Sequence, residues 1–573
     1  MTTDSDQAIA VSRQRVEDDR QLIREARGAG PFAMLGAFVK LSGPGWLQSA
    51  ITLGGGSLAG SLYLGVVGGY SLLWVQLVAI VFGVVMLCAI SYASLSTGER
   101  PFKAINEHIN PVLAWGWAIA TLAANMVWSL PQFSLATAVV QQNLLPGVVG
   151  AESPMGDMWG MTVVCGIILI VTVSIVWVYD SGGRGIRIFD GLLKILVGLI
   201  VLSFFGVVIR LSTSTEGLPW GEIAAGFVPD LTQWSRPADT FEPYIAAAGE
   251  AHRLFWNHEI VSLQRNVMIA AIATAVGINM TFLLPYSMLN RGWGRDFRGM
   301  AIFDLSTAMA IPFVLVTSCV VIASASQFHA KADDALLANS PAVPPAQVGS
   351  YEGTLKKRLK AEMGDDVFAS LSTNPDQLHA AIEALPDEDK RLAAMIVKRD
   401  AFALAQSLEP LTGKTFANVI FGVGVLGMAV SSIIILMLIS GFVICEMLGL
   451  PQGGMPHRLG CMAATVGALG PFLWQGNTKF WLAVPTSVFG MALLPIAYIT
   501  FLLMMNSRSL LGDQRPHGPR RVVWNICMIV ATAFATAAAS WSVWSKAHWY
   551  GVAGVAVFVA LALVAKARQT AAA

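Results

Sequence analysis

The sequence is poor in charge, since Lys, Arg, Asp and Glu make up only 13% of its 573 residues while hydrophobic residues make up 55%. Soluble domains carry about twice that share of charged residues, so a water-soluble globular protein is excluded. The formal net charge of +1 also gives no concentrated basic surface for phosphates, and no nucleic-acid partner is expected. The low charge and high hydrophobic content indicate an integral membrane protein, which has the lipid bilayer as a partner.

Chemically reactive motifs are missing as well. The six cysteines lie in or beside apolar segments without CxxC or zinc-like spacing, which is typical of small core residues. No Gly-x-Ser-x-Gly, Walker A, HExxH or paired-carboxylate arrangement occurs at a membrane-accessible position. We therefore expect no enzyme activity, no catalytic residues and no cofactor.

The sequence is instead rich in apolar runs long enough to span a bilayer. Twelve are predicted, near residues 43–67, 71–93, 113–143, 158–179, 188–210, 266–289, 300–325, 416–446, 457–474, 479–506, 521–544 and 549–567. Lysine and arginine concentrate in the short connections of one side, for example at Arg291, Arg295 and Arg298. Both termini of this multi-pass protein are therefore predicted to be cytoplasmic, in the cell membrane if the organism is a prokaryote.

One connection departs from this pattern, because residues 326–414 hold 23 of the 73 charged side chains. By parity it lies on the side opposite the termini, and we expect a small helical cap apart from the membrane core. The predicted organisation is a cytoplasmic segment 1–42, helices one to seven over 43–325, an extramembrane helical insertion 326–414, helices eight to twelve over 415–567 and a tail 568–573.

Three consecutive glycines, Gly54 to Gly56, interrupt the first predicted helix and are followed by Ser57. Each costs a helix roughly 1 kcal/mol relative to alanine, and unwound backbone survives within a bilayer only where it is buried in protein or lines a polar cavity. A second interruption lies in helix six, where Gly277 and Pro285 flank Asn279 and Thr281. Broken helices at equivalent places of two five-helix repeats are typical of a transporter site at the membrane midplane. The alternative is glycine packing in helix one and a proline kink in helix six.

Four segments resemble one known family. They are "GPGWLQSAITLGGGSLAGSLYLGVVGGYSLLWV" at 43–75, "PWGEIAAGFVPDL" at 219–231, "IFDLSTAMAI" at 302–311 and "ALLPIAYITFLLMMNSRSLLG" at 492–512. The chain is similar there to the Nramp (natural resistance-associated macrophage protein) family of divalent-metal transporters. The resemblance implies an all-α integral membrane protein of about twelve helices, with the LeuT-type inverted-repeat (5+5) fold and a binding site where helices one and six unwind.

The resemblance breaks down at the family's metal-binding and proton-relay residues. The family's Asp-Pro-Gly-Asn falls on Gly54 to Ser57, and its Ala-x-x-Met-Pro-His falls on 277–282, so Met280 alone stays as a metal ligand. Residues 109–151, which include helix three, contain no acidic residue, and Phe282 stands at the relay histidine. The predicted substrate-binding residues are Gly54, Gly55, Gly56, Ser57, Gly277, Asn279, Met280 and Thr281.

These residues predict a secondary transporter of a metal cation, bound partly hydrated and moved without the usual proton relay. One alternative is a small organic acid or amino-acid carrier in which Gly55, Gly56 and Ser57 hold the substrate carboxylate, because amide groups at a half-helix amino terminus attract anions. Another is a membrane sensor that keeps the fold without transport. The substrate, the coupling ion and the oligomeric state are left open by the sequence.

Overall fold

The computed structural model describes residues 4–179, 183–214, 217–340, 343, 345–397, 399, 401–413, 416–473 and 483–572. Within these residues the chain is helical and contains no β-strand, which confirms the predicted all-α class. Through the seventh span the helices are α1 (Asp4–Ala29), α2 (Pro31–Leu41), α3 (Pro44–Thr52), α4 (Gly55–Gly68), α5 (Leu73–Thr97), α6 (Pro101–His108), α7 (Pro111–Val139), α8 (Pro146–Val149), α9 (Asp157–Tyr179), α10 (Gly183–Ser212), α11 (Trp220–Ala225), α12 (Glu242–Ala247), α13 (Glu250–Ala275), α14 (Ile278–Asn290), α15 (Arg298–Asp304) and α16 (Ala310–Phe328).

The insertion and the later spans follow in chain order. They contain α17 (Asp334–Leu337), α18 (Pro345–Met363), α19 (Asp365–Ser372), α20 (Pro375–Glu383), α21 (Asp387–Met395), α22 (Ala401–Thr412), α23 (Phe421–Met447), α24 (Gly454–Cys461), α25 (Gly470–Leu473), α26 (Ala483–Asn506), α27 (Arg508–Leu511) and α28 (Gly518–Ala572). Short π or 3-10 segments connect several of these helices, such as Leu305–Met309 between α15 and α16 and Met462–Leu469 between α24 and α25.

Nine runs among the described residues are long and apolar enough to cross a membrane. Gly55–Thr97 has 43 residues and Gly518–Gln569 has 52, whereas one crossing takes about 20. The first run turns at Gly69 and the second at His548, both with positive φ, so each holds two spans. The predicted ninth helix is the segment of α24, Met462–Leu469 and α25; its expected end at 474 and the expected start of helix ten at 479 lie outside the described residues.

The first and sixth spans lie at the centre of the bundle. Helix α4 packs against α13 and α16, α3 packs against α10 and α23, and α14 packs against α5, α7 and α23. The whole stretch from Ile278 to Met288 is buried. Two interrupted helices therefore run side by side through the protein interior, where their unwound backbone is shielded from lipid.

Both ends of the chain lie at one face of the bundle. Arg20 and Arg24 of α1 form ion pairs with Asp296, which follows the sixth span. At the other end of the sequence, Gln569 donates a hydrogen bond to the carbonyl of Asn106, and Arg298 donates one to Ser96. The connections after the second and sixth spans thus lie at the same face as the two termini.

The insertion covers the opposite face, where it packs against the loop before the sixth span and against α13. Its apolar side chains share one core with Phe241 and Ile245 of the preceding loop and with Trp256 of α13. Asp389, fully buried, accepts a hydrogen bond from the Trp256 indole at 2.5 Å and pairs with Arg358 at 3.1 Å. The cap is thus built jointly from the insertion, the preceding loop and the outer end of α13, and its place outside the membrane stays a prediction.

Candidate functional site

The glycine triplet breaks the first span at Gly54 and also lets neighbouring helices pack closely against it. Helix α3 ends at Thr52, and Gly54 is extended, with φ −93° and ψ 177°, before α4 begins at Gly55. A Cβ on Gly54 would lie 2.2 Å from the Ser432 hydroxyl oxygen, and one on Gly56 would lie 2.9 Å from a Thr274 methyl carbon. Unwinding and close packing, expected as alternatives, therefore occur together.

The sixth span breaks at Val276 and Gly277, which are both extended, with ψ 102° and 162°. A Cβ on Gly277 would lie 2.3 Å from the Trp128 ring, so the neighbouring α7 also requires glycine here. Pro285, in contrast, lies within the continuous helix α14 and does not interrupt it. The break thus lies at the start of the polar stretch that the sequence indicated.

The two breaks enclose a cavity of about 40 Å³. No Asp, Glu, Lys, Arg or His lines it among the described residues, so its chemistry is that of neutral oxygen and nitrogen atoms and one thioether. The lining residues are Ile51, Gly54, Gly56, Ser57, Trp128, Pro131, Gln132, Thr274, Gly277, Asn279, Met280, Ser432, Leu436, Thr486 and Ser487.

Six of the eight predicted residues line this cavity, and Gly55 and Thr281 do not. The Gly55 amide instead donates a hydrogen bond of 2.9 Å to the Gln132 side-chain oxygen. Thr281 accepts one of 2.9 Å from the Trp117 indole and faces away from the cavity lining. The structure places these six residues around one cavity. That they bind a substrate stays a prediction.

Met280 connects the two broken spans. Its sulfur accepts a hydrogen bond of 3.4 Å from the Thr52 hydroxyl, and its carbonyl accepts one of 3.3 Å from the Gln48 side chain. The residue is 2% exposed. The thioether that the sequence singled out as a soft metal ligand therefore already has a polar neighbour from α3.

Two cavity-lining polar atoms are buried without a hydrogen-bond partner. They are the Ser432 hydroxyl oxygen and the Asn279 side-chain nitrogen. The Asn279 oxygen is engaged, because it accepts a hydrogen bond of 2.9 Å from the Met280 amide. Buried polar groups in native proteins normally find a partner, so these two atoms are available to a polar group that enters the cavity.

Sequence reasoning missed the lining residues that come from other spans. Gln132 lies on α7, Ser432 on α23, and Thr486 and Ser487 on α26. Each is a neutral polar residue in an apolar helix, without motif or spacing. Their polarity within an apolar helix is the one sequence feature that points to them. They carry no charge, so the absence of intramembrane charged residues gives no hint of them.

Buried and half-buried charged groups at the ends of the broken spans hold helix ends together. Asp304, 1% exposed, accepts hydrogen bonds from the Ser42 hydroxyl and from the amides of Gly43 and Gly45, the latter at 2.6 Å. Arg291 pairs with Asp190 at 2.8 Å. These contacts fix the amino terminus of α3 and the end of α14 at the face of the termini, away from the cavity.

Comparisons with known proteins agree with this architecture. Plant relatives that match include metal transporter Nramp6.2 of Populus trichocarpa, 24% identical over 230 residues, and metal transporter Nramp3 of Arabidopsis thaliana, 22% identical over 204. These matches cover 40% and 35% of this chain and only 38% and 36% of the relatives' own lengths.

Among solved structures, a mutant of the Eremococcus coleocola manganese transporter superposes with a TM-score of 0.58 at 13% identity, over 93% of this chain and 94% of that one. The same transporter with an aromatic bis-isothiourea compound gives a TM-score of 0.59 at 13% identity, over 94% of each chain. The fold is thus the LeuT-type arrangement of an integral, multi-pass membrane protein.

The family model for natural resistance-associated macrophage protein-like chains matches residues 45–340 and 392–545. Both broken spans and every cavity-lining residue fall within this match. The interval without a match, 341–391, lies inside the insertion. The chain therefore belongs to the Nramp family.

Proposed function

We propose that this protein is a secondary transporter of a metal cation, which it binds with part of the water shell in place and moves without a proton relay. The observation that carries this proposal is the neutral, oxygen-lined cavity between the two broken spans of an Nramp-family chain. Related chains are named as metal transporters, and a structural neighbour as a manganese transporter.

Cavity size supports an ion over an organic solute. One water needs roughly 10–15 Å³ of such volume, so the 40 Å³ available suits an ion with one or two waters. Pockets for organic ligands usually measure about 300 Å³ or more. An amino acid would require the spans to move apart from the arrangement described here.

Charge supports a hydrated ion over a bare one. At an effective dielectric near 20, a carboxylate 4 Å from a cation contributes about 4 kcal/mol, and the cavity has none. Its hydroxyl and amide oxygens can accept hydrogen bonds from the ion's waters, which lowers the dehydration required. Binding is therefore expected to be weak, with Met280 contributing most for softer metals.

The organic-acid alternative has less support from the half-helix amino termini. The Gly55 amide at the start of α4 already donates to Gln132, and the Met280 amide near the start of α14 donates to Asn279. A substrate carboxylate would have to displace these side-chain oxygens. Among the described cavity-lining side chains, the unpartnered donors that an anion could use are the Asn279 nitrogen and the Ser432 hydroxyl.

The proposed orientation places both termini in the cytoplasm and the insertion on the other side. It is supported by the basic residues of the connections that meet at the face of the termini, including Arg291, Arg295 and Arg298. Long extramembrane segments do not obey the charge rule, so the basic residues of the insertion do not oppose it. Transport, rather than enzymatic turnover, is the proposed activity.

Uptake into proteoliposomes tests this proposal. Mn²⁺, Cd²⁺ and Mg²⁺ are offered beside a panel of amino and organic acids, with and without a pH gradient. We expect cation uptake that persists when a protonophore removes the pH gradient. Ser432→Leu, which fills the cavity from α23, is the matched inactive control. Uptake of an organic acid alone would overturn the cation assignment, and uptake that collapses with the pH gradient would overturn the absence of proton coupling.

A further inference from the structure

Helix α2 lies between the amino-terminal helix α1 and the first half of the broken first span. It has 11 residues, about 16 Å in length, which is too short to cross a hydrocarbon core of about 30 Å. Gly30, with φ 108°, separates it from α1, and Ser42 and Gly43 alone separate it from α3. The helix is thus a distinct element attached directly to α3.

One side of α2 is packed against the bundle. Ala37 is buried, and Met34 and Leu41 contact the main apolar core. The Phe38 ring lies 5.3 Å from that of Phe303, on the helix that begins the seventh span. This packing fixes the rotation of α2 about its axis, so its remaining faces have defined directions.

A second side is apolar and uncovered. Phe32, Leu35 and Val39 are spaced i, i+3 and i+7, which puts them on one face of the helix. They are 88%, 48% and 61% exposed. Lys40, the one charged residue of α2, lies beside this face and is exposed. A contiguous exposed apolar face of this kind in a folded protein marks a contact with lipid or with another protein.

The bilayer is the occupant that the surroundings favour. Ile302, next to Phe303 in the chain, is 40% exposed, and Ile311 is 52% exposed further along the same membrane span. The apolar face of α2 therefore continues the lipid-facing surface of the seventh span. Residues 4–41 contain six acidic and six basic side chains, so no excess charge selects an anionic surface.

We propose that α2 lies in the plane of the membrane interface, with Phe32, Leu35 and Val39 inserted among lipid chains, and that it anchors α3 there. Such interfacial helices bind through their buried apolar area, with charged groups left at the headgroups. Because two residues connect α2 to α3, the first half-helix beside the cavity is attached to the bilayer surface at its amino-terminal end.

The test uses the full-length protein in vesicles of zwitterionic lipid. Single cysteines replace Phe32, Leu35 or Val39 for bimane labelling, and Cys527, the one native cysteine that is not buried, is changed to serine. Lys40→Cys, beside the apolar face of α2, and Gln21→Cys, on α1, are the matched controls. Nitroxide-bearing lipids and aqueous iodide then quench the label from the two phases.

We expect lipid quenching about threefold or more stronger at positions 32, 35 and 39 than at the two controls, with the opposite order for iodide. Equal iodide quenching at all five positions would overturn the proposal, because the apolar face would then lie in water. Protection from both quenchers would also overturn it, since a second protein copy would then cover the face.

Discussion

Gly54 is a residue at which a charge can be introduced into the cavity at the break of the first span. Its extended backbone is open to any residue, and a new Cβ would meet the unpartnered hydroxyl of Ser432 first and the Ile51 carbonyl oxygen, at 3.0 Å, second. Gly277 differs, because a side chain there would meet the rigid ring of Trp128. A carboxylate can therefore be introduced at the first break once Ser432 is reduced in size.

We predict that Gly54→Asp combined with Ser432→Gly binds Mn²⁺ or Cd²⁺ at least about tenfold more tightly than the parent, since a nearby carboxylate offsets part of the dehydration cost. Isothermal titration measures the affinity. Gly54→Asn with Ser432→Gly has the same size without the charge and is expected to bind like the parent. Equal affinities in the two double variants would show that Gly54 does not face the bound ion.

The sequence could locate this break because three adjacent glycines are costly in a membrane helix unless the backbone must unwind or approach a neighbour. It could not identify Gln132 or Ser432, since a single neutral polar residue has no periodicity that shows which way its helix face turns. It also could not separate Gly55 from Gly54. That difference depends on which amide meets the Gln132 side chain.

At the scale of elements, α3 is fixed at its amino terminus by one carboxylate. Asp304 accepts from the Ser42 hydroxyl and from the amides of Gly43 and Gly45, which otherwise have no helical partner. A Cβ on Gly45 would lie 2.4 Å from the Asp304 carbonyl oxygen, so α3 also packs closely on α15. The sequence placed Asp304 near a helix start, but the partner of its side chain is more than 250 residues earlier in the chain.

Asp304→Ala is expected to lower the stability of the protein by about 2 kcal/mol or more, because it leaves buried donors without an acceptor. Asp304→Asn keeps an acceptor oxygen and should lose clearly less. Thermal unfolding in detergent measures both, with the exposed Asp366→Ala as a control for charge loss. Equal losses for the alanine and asparagine variants would mean that the negative charge, rather than the hydrogen bonds, holds α3.

His329 joins the outer ends of α4 and α16 to the loop before the sixth span. Its Nδ1 lies 3.0 Å from the Val66 carbonyl oxygen, and its Nε2 lies 2.7 Å from the Thr240 hydroxyl. A neutral ring that donates from Nδ1 and accepts at Nε2 satisfies both contacts. Burial lowers the pKa of His329, while the hydrogen bond to Val66 partly raises it.

This lowered pKa makes the junction sensitive to acid. Since the unfolded chain binds the proton more readily, the stability from His329 is fully present above its unfolded pKa of about 6.5 and is lost as the pH falls below it. We predict that the unfolding midpoint falls between pH 7 and pH 5 by more in the parent than in His329→Gln, which can form both hydrogen bonds without titrating. Parallel pH profiles would contradict this assignment.

At the scale of the whole molecule, the insertion and the outer end of α13 share one apolar core. Trp256 is fully buried at the outer end of α13, where it contacts apolar residues of the insertion. The buried pair of Arg358 and Asp389 lies beside it. Sequence composition could predict that residues 326–414 form helices outside the membrane. It could not predict this shared core, because no residue of the continuous helix α13 shows where it leaves the membrane and begins to contact the insertion.

Deletion of residues 345–397, replaced by a Gly-Ser linker, should therefore cost the protein its monodisperse state in detergent. The deletion exposes Trp256, Phe241 and Ile245 to water and removes the carboxylate that accepts the Trp256 indole hydrogen. Size-exclusion chromatography and thermal unfolding measure the effect. Deletion of Asp365–Ser372 alone is the matched control, because no described residue of that helix is buried, and this variant should behave like the parent. A monodisperse protein with the parental midpoint after the large deletion would mean that the insertion is an independent cap, as its charge pattern alone suggests.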